Sequence, residues 1–175
     1  MPIPPHSQPP GKTLLELLLT MLIISLLCAL ALPLLQQPLQ ELRATTLRRQ
    51  LHASLASARA TAITQRQRIG VCPSTDGRSC GTRWDQGWIL FRAGTDKGGS
   101  LQIRQVLRHE AGQRGRALLA RGTRGRPVLY FNADGRSGNS NQTLTICLQG
   151  RTHGQVIINI GGRVRSKRPR MPRPC

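Results

Sequence analysis

The residues of this chain whose types and spacing could do chemistry are its arginines, its cysteines and one glutamate inside an apolar run. Asp134 is the last acidic residue; after it come Arg136, Arg151, Arg163, Arg165, Lys167, Arg168, Arg170 and Arg173, with no carboxylate to offset them. The whole chain carries a net charge of +19. Such a field suits a polyanionic partner: nucleic acid, acidic lipid or polysaccharide. The plainer alternative is a solvated basic tail that only adds solubility. Aromatic residues are few (Trp84, Trp88, Phe91, Tyr130 and Phe131), and none lies in the tail. Binding unstacked single strands calls for stacking platforms beside a basic groove. The pattern therefore points to a phosphate backbone, read without regard to sequence and compatible with a duplex.

Cys28 sits in the apolar run and behaves as a small hydrophobe. Cys72, Cys80, Cys147 and Cys175 form an even set outside it, which in an extracytoplasmic domain suggests two disulfides. No pair has C-x-x-C spacing, which argues against zinc or thioredoxin-type chemistry. Four cysteines allow three pairings. Cys72 and Cys80 enclose seven residues containing an Asp-Gly turn, so they can close locally. Cys147 is then left for Cys175, which would tie the tail back onto a strand and display its arginines on a closed loop. His6, His52, His109 and His153 are scattered, and no P-loop or G-x-S-x-G is present. Cys147 and His153 could share a metal, but two ligands are not a site. The sequence predicts no enzyme, no cofactor and no metal.

Glu16 is the one charge between Leu14 and Leu35, a run of 22 residues. That run matches the roughly 20 residues a bilayer core requires. A carboxylate at the bilayer centre costs roughly 2.5–3.5 kcal/mol, and less near an interface. It either stays wet at the headgroups or has a partner. Five prolines in the first ten residues exclude a helix there, so 1–11 reads as a leader. It is not an ordinary secretory signal: no Lys or Arg precedes Lys12, and the apolar run is too long. Lys12 before the span and Arg43, Arg48 and Arg49 after it give no clear orientation.

The elements that must position these residues follow from periodicity. Residues 12–35 read as a transmembrane helix and 36–66 as its amphipathic continuation, with kinks expected at Pro33 and Pro38. Leu39, Leu42, Leu47, Leu51, Leu55, Ala58 and Ala62 fall on one face, with Arg43, Arg48, Arg49, Gln50 and Arg59 mostly off it. Residues 67–165 form a β-rich domain with strands at 68–72, 87–92, 101–108, 127–131, 143–148 and 155–160. In the last of these Val156, Ile158 and Ile160 share one face. Gly161 and Gly162 make a tight turn into a strand where Arg163 and Arg165 face one way and Val164 the other. Residues 166–175 read as a basic, extended C-terminal tail. Trp84 and Trp88 are expected in the core beside the Cys72–Cys80 loop.

A leader ending in Gly, a Glu five residues later, an apolar helix, a proline and a β-rich domain resemble the type IV pilin class, through "GKTLLELLLTMLIISLLCALALP". The stretches "VCPSTDGRSCGTRWDQGWILF", "VLYFNADGRSG", "LTICLQG" and "VIINIGGRVR" are similar to FimT/GspH-type minor pilins, or pseudopilins. The resemblance covers nearly the whole chain. It implies an α+β fold: a long N-terminal helix, membrane-spanning in its first half, packed on a small antiparallel β-sandwich.

The resemblance also implies roles. A prepilin peptidase would cut after Gly11 and the new amine on Lys12 would be methylated, although Lys stands where the family usually has Phe. Glu16 and Pro33 become the fifth and twenty-second mature residues. In assembled pili of the class the fifth-residue carboxylate pairs with the N-terminal amine of a neighbouring subunit, which would set register during assembly. FimT-like members resemble DNA-uptake components that bind DNA through Gly-Arg-x-Arg, here Gly162, Arg163, Val164 and Arg165. Lys167, Arg168, Arg170 and Arg173 follow, giving up to six phosphate contacts. The implied setting is a bacterial inner membrane with a periplasmic domain, then a pilus at the cell surface. The implied partners are DNA, other pilins and the prepilin peptidase. The alternative is a structural pseudopilin of a pilus or type II secretion filament that touches no nucleic acid.

Overall fold

The computed structural model describes residues 13–95, 101–113, 118–123, 127–138 and 141–175, with only the backbone described at Pro33 and Leu101. Helix α1 spans Leu14–Gln65. Glu16 N donates to the Thr13 carbonyl at 3.0 Å and to the Thr13 hydroxyl at 3.4 Å, which closes the first turn. Glu16 thus lies where the helix dipole favours a carboxylate. The helix continues through Pro33 and Pro38 rather than stopping there. Each proline removes one amide donor, while the flanking Leu and Gln residues favour the helix.

The chain divides into two compact units after Pro38. In the first, every Leu and Ile of α1 is exposed. The apolar stretch here is long enough to cross a membrane, and lipid would be the solvent that such a surface suits. In the second, the rest of α1 joins two four-stranded antiparallel sheets. The first sheet contains β1 (Ile69–Pro73), β2 (Gly87–Thr95), β3 (Leu101–Ala111) and β5 (Leu129–Phe131), in the order β3-β2-β1-β5. The second contains β4 (Leu118–Arg121), β6 (Gln142–Leu148), β7 (Arg151–Ile158) and β8 (Val164–Lys167), in the order β4-β6-β7-β8.

One core joins all three layers. Ala44, Leu47, Leu51, Leu55, Ala58 and Ala62 of α1 meet Ile69, Val71, Trp88 and Leu90 of the first sheet and Ala120, Leu144, Ile146, Val156 and Ile158 of the second. Complete burial of a large aliphatic side chain contributes roughly 1.5–3 kcal/mol, so this α1 face is what holds the helix on the sheets. Trp84 and Trp88 are both buried. Asp85, beside Trp84, is buried too; its Oδ1 accepts from the Ala120 amide at 3.1 Å and its Oδ2 from Arg83 at 2.6 Å. The carboxylate therefore pins the start of β2 to β4. That contact raises the Arg83 pKa further, through the hydrogen bond to Asp85 and then its charge.

Several expectations need correction. Leu39 and Leu42 are exposed, because they point away from the face that carries Ala44, Leu47 and Leu51. Strand β4 was not expected: "ALLA" is a short apolar run without alternation between glycine- and arginine-rich segments. Ile160 lies beyond the end of β7 and is 54% exposed. Arg163 belongs to the turn before β8 rather than to the strand.

Candidate polyanion interface

β8 is an edge strand, and Arg165, Ser166 and Lys167 on it are exposed. Its register pairs Val164 with Ile158, Arg165 with Ile157, Ser166 with Val156 and Lys167 with Gln155. Charged residues on an edge also discourage strand addition, so edge position alone does not make a binding site.

The turn entering β8 is closed by Asn159. Its side-chain oxygen accepts from the Arg163 amide at 2.8 Å, and its own amide donates to the Arg163 carbonyl at 3.2 Å. Gly162 has φ of +77°, and a Cβ there would collide with the Gly135 carbonyl oxygen. Only glycine takes that conformation and that approach without strain. Arg59 of α1 holds the same place: Nε donates to the Gly135 carbonyl at 3.0 Å and Nη2 to the Gly161 carbonyl at 3.4 Å. Further along β8, Arg48 donates to the Ser166 hydroxyl at 2.8 Å. Arg163 and Arg165 are left exposed on a braced hairpin.

Beyond Lys167 the chain loops out and returns. Thr152 N donates to the Arg173 carbonyl at 2.7 Å, Cys175 N donates to the Gly150 carbonyl at 2.9 Å, and Pro174 bridges to Arg151. Cys147 is bonded to Cys175, and Cys72 to Cys80. The loop walls an open groove of about 710 Å³, with Lys167, Arg168, Arg170 and Arg173 facing Thr152 and Gln155. Inside the Cys72–Cys80 ring, Asp76 accepts from Ser79, Arg78 and Ser74. These bonds, the Ser79 hydroxyl first, hold its carboxyl well below the usual range.

The six basic residues do not share one loop. Arg168 Nη2 lies 3.1 Å from Glu41 Oε2, which also accepts from the buried His153 Nε2 at 2.8 Å. Arg163 instead follows the turn held by Arg59. From Glu41 to Arg59 is about 27 Å of helix at 1.5 Å per residue. The hairpin turn and the tail groove therefore lie at the two ends of β8, and one of the six cations already has a carboxylate. Arg59, Arg48 and Glu41 had no signal in the sequence as partners of this region, because the contacts join residues 76 to 127 positions apart. Gly11 and Lys12 lie outside the described residues.

A long helix on two antiparallel sheets, with a basic edge hairpin, is a pilin-like architecture. The family model described as type II transport protein GspH matches residues 48–162, well over half of the chain, so the chain belongs to the GspH family. It is a minor pilin or pseudopilin of the GspH/FimT type, of a type IV pilus or a type II secretion system. Two crystal structures of the Pseudomonas aeruginosa type IV minor pilin FimU are similar to it. One is 26% identical with a TM-score of 0.59, covering 74% of this chain and 91% of that one. The other is 25% identical with a TM-score of 0.56, covering 74% and 96%. The minor pseudopilin EpsH of the Vibrio cholerae type 2 secretion system shares the fold, at 17% identity and a TM-score of 0.50, covering 74% of this chain and 99% of that one. A search of curated proteins finds no match.

Proposed function

We propose that this chain is a FimT-like minor pilin of a type IV pilus that binds extracellular DNA without sequence preference, for uptake in natural transformation. The observation that supports this reading is the hairpin itself. Arg163 lies in the entry turn and Arg165 on the edge strand it leads into; Gly162, Asn159 and Arg59 fix that turn, and no carboxylate pairs with either arginine among the described residues. Guanidiniums on a braced turn, with no carboxylate to cancel their charge, suit phosphate oxygens. Lys167, Arg170 and Arg173 add to the field, while Arg168 is engaged by Glu41.

Five available cations give a limiting slope of about −4.5 for log K against log salt, at roughly −0.9 per phosphate contact. The test is a mobility shift with the full chain in neutral detergent and a labelled duplex at several salt concentrations. Arg163→Gln with Arg165→Gln should weaken binding to every sequence alike and flatten the slope by about 2. Its melting temperature should match wild type, because both side chains are exposed. A double variant that binds as tightly as wild type would place the site elsewhere. Absence of wild-type binding at low salt would leave the structural pseudopilin, a reading favoured by the way Arg48 and Arg59 serve as braces.

Assembly belongs to the same proposal. The prepilin peptidase cuts after Gly11, Lys12 becomes the methylated N-terminus, and Glu16 pairs with the amine of a neighbouring pilin as the subunit leaves the inner membrane. The domain then lies in the periplasm and later on the cell surface. N-terminal sequencing of membrane-extracted protein should begin at Lys12. A chain still starting at Met1 would overturn this processing step.

A further inference from the structure

A second cationic cluster lies on the other sheet. Arg68 precedes β1, Arg92 lies in β2 and Arg104 in β3. Arg68 and Arg104 are exposed and Arg92 is half-buried. Two adjoining surface grooves, each of about 490 Å³, share Arg68, Ala93 and Arg104 in their walls.

Neutral groups hold two of these side chains. Arg68 Nε donates to Asn132 Oδ1 at 3.0 Å, and its guanidinium carbon sits 5.2 Å from the centre of the Tyr130 ring. Arg92 donates to Oε1 of Gln105 at 3.1 Å and to Oε1 of Gln65 at 3.3 Å. The side chain of Arg104 lies across Gly94, where any Cβ would collide with it. Among the described residues, no carboxylate pairs with any of the three. On the same sheet Arg108 of β3 does have one, Glu110 at 3.5 Å. Amide oxygens and an aromatic face fix a guanidinium without cancelling its charge. Like charges gathered round one groove repel, and an anion seated among them relieves that repulsion.

The cluster is also continuous with the hairpin. Asn132, which holds Arg68, opens the turn whose Gly135 carbonyl receives Arg59, the same side chain that reaches Gly161. Ser137 N, at the far side of that turn, donates to the Ile160 carbonyl at 3.1 Å. Arg136, between them, is exposed. Arg163, Arg136 and Arg68 therefore mark a path away from the tail groove, with one exposed carboxylate on the turn between them, Asp134, whose Oδ1 accepts from the Arg136 amide at 2.9 Å.

We propose that Arg68, Arg92 and Arg104 form a second phosphate-binding site, so that one nucleic-acid backbone runs from the β8 hairpin over the Asn132–Ser137 turn onto the other sheet. The proposal rests on the DNA reading above and adds a site to it. Phosphate is the chemistry that guanidiniums in fork geometry recognise best, and a diester repeat supplies several along one path.

The experiment uses the full chain in neutral detergent with a labelled duplex. It compares wild type, Arg163→Gln/Arg165→Gln, Arg68→Gln/Arg104→Gln, and the quadruple variant, each with its thermal melt. Loss of two contacts at roughly −0.9 each should flatten the salt slope of Arg68→Gln/Arg104→Gln by about 2, and the quadruple variant by about 4. If the double variant melts early, Arg104→Gln alone carries the test, with an expected flattening of about 1. An Arg68→Gln/Arg104→Gln protein with wild-type affinity and slope would overturn the second site, and would leave the hairpin reading standing if Arg163→Gln/Arg165→Gln is weakened. The reverse result would remove the hairpin and keep this cluster. A wild-type protein that shifts no duplex at low salt would overturn both.

Discussion

At the hairpin end of β8, an arginine meets carbonyl oxygens; at the tail end, an arginine meets a carboxylate. Arg59 donates to Gly135 and Gly161, so positive charge is added while the turn is braced. Arg168 instead shares Glu41 with His153. The same residue type thus does two jobs at the two ends of one strand. A carbonyl fixes position and leaves the charge available to a partner. A carboxylate fixes position and cancels it. Counting basic residues in a tail therefore overstates the cations that a polyanion can use, and the geometry of their partners decides which remain.

The largest effect expected from breaking this contrast comes from the disulfide that folds the tail back. Cys147 and Cys175 are 28 positions apart, a loop whose closure is worth about 3–4 kcal/mol in the chain-entropy account. Changing both to Ala should lower stability by that order, read by denaturant unfolding of the full chain. The hairpin is closed by its own bonds from Asn159 and Arg59, so it should not depend on the tail. In the disulfide-free protein, changing Arg163 and Arg165 to Gln should still flatten the salt slope by about 2. Disappearance of that difference would mean the two ends are one unit after all.

Much of the fold was legible because its signals are local. The apolar run, the leucine spacing from Leu47 to Ala62 and the β-branched runs of β1, β2, β6 and β7 each state an element within a dozen residues. The family resemblance pointed to the same α+β architecture, to which the GspH family and the FimU structures also lead. Local signals failed at element ends. Leu39 and Leu42 lie roughly 140° and 160° around the helix from the buried Ala44 and so face away from the sheets, and β4 has too few residues to show alternation. Of the candidate site, the two arginines of Gly-Arg-Val-Arg could be named from sequence, and the glycine's need could be guessed. What braces or neutralises them could not. Arg168 and Glu41 stand 127 positions apart, and Arg68, Arg92 and Arg104 come from three separate elements that only the sheet brings together.

The smallest expected change in stability is the sharpest test of the contrast, at Glu41. Its carboxylate and Arg168 are both substantially exposed, so their ion pair is worth about 0–1 kcal/mol. Glu41→Gln keeps an oxygen at the place where His153 Nε2 now finds its partner, so the buried imidazole need not lose its hydrogen bond. The melting temperature should move little. Binding should move in the opposite direction to every other variant: one anion leaves the groove wall and Arg168 is released from it. Duplex affinity should rise, and the salt slope should steepen by about 0.9, the value of one more phosphate contact. The measurement is the same mobility shift across salt concentrations, wild type against Glu41→Gln. A slope that stays where it was would show that cancelling charge at the tail end does not limit binding, and that the two ends differ only in what braces them.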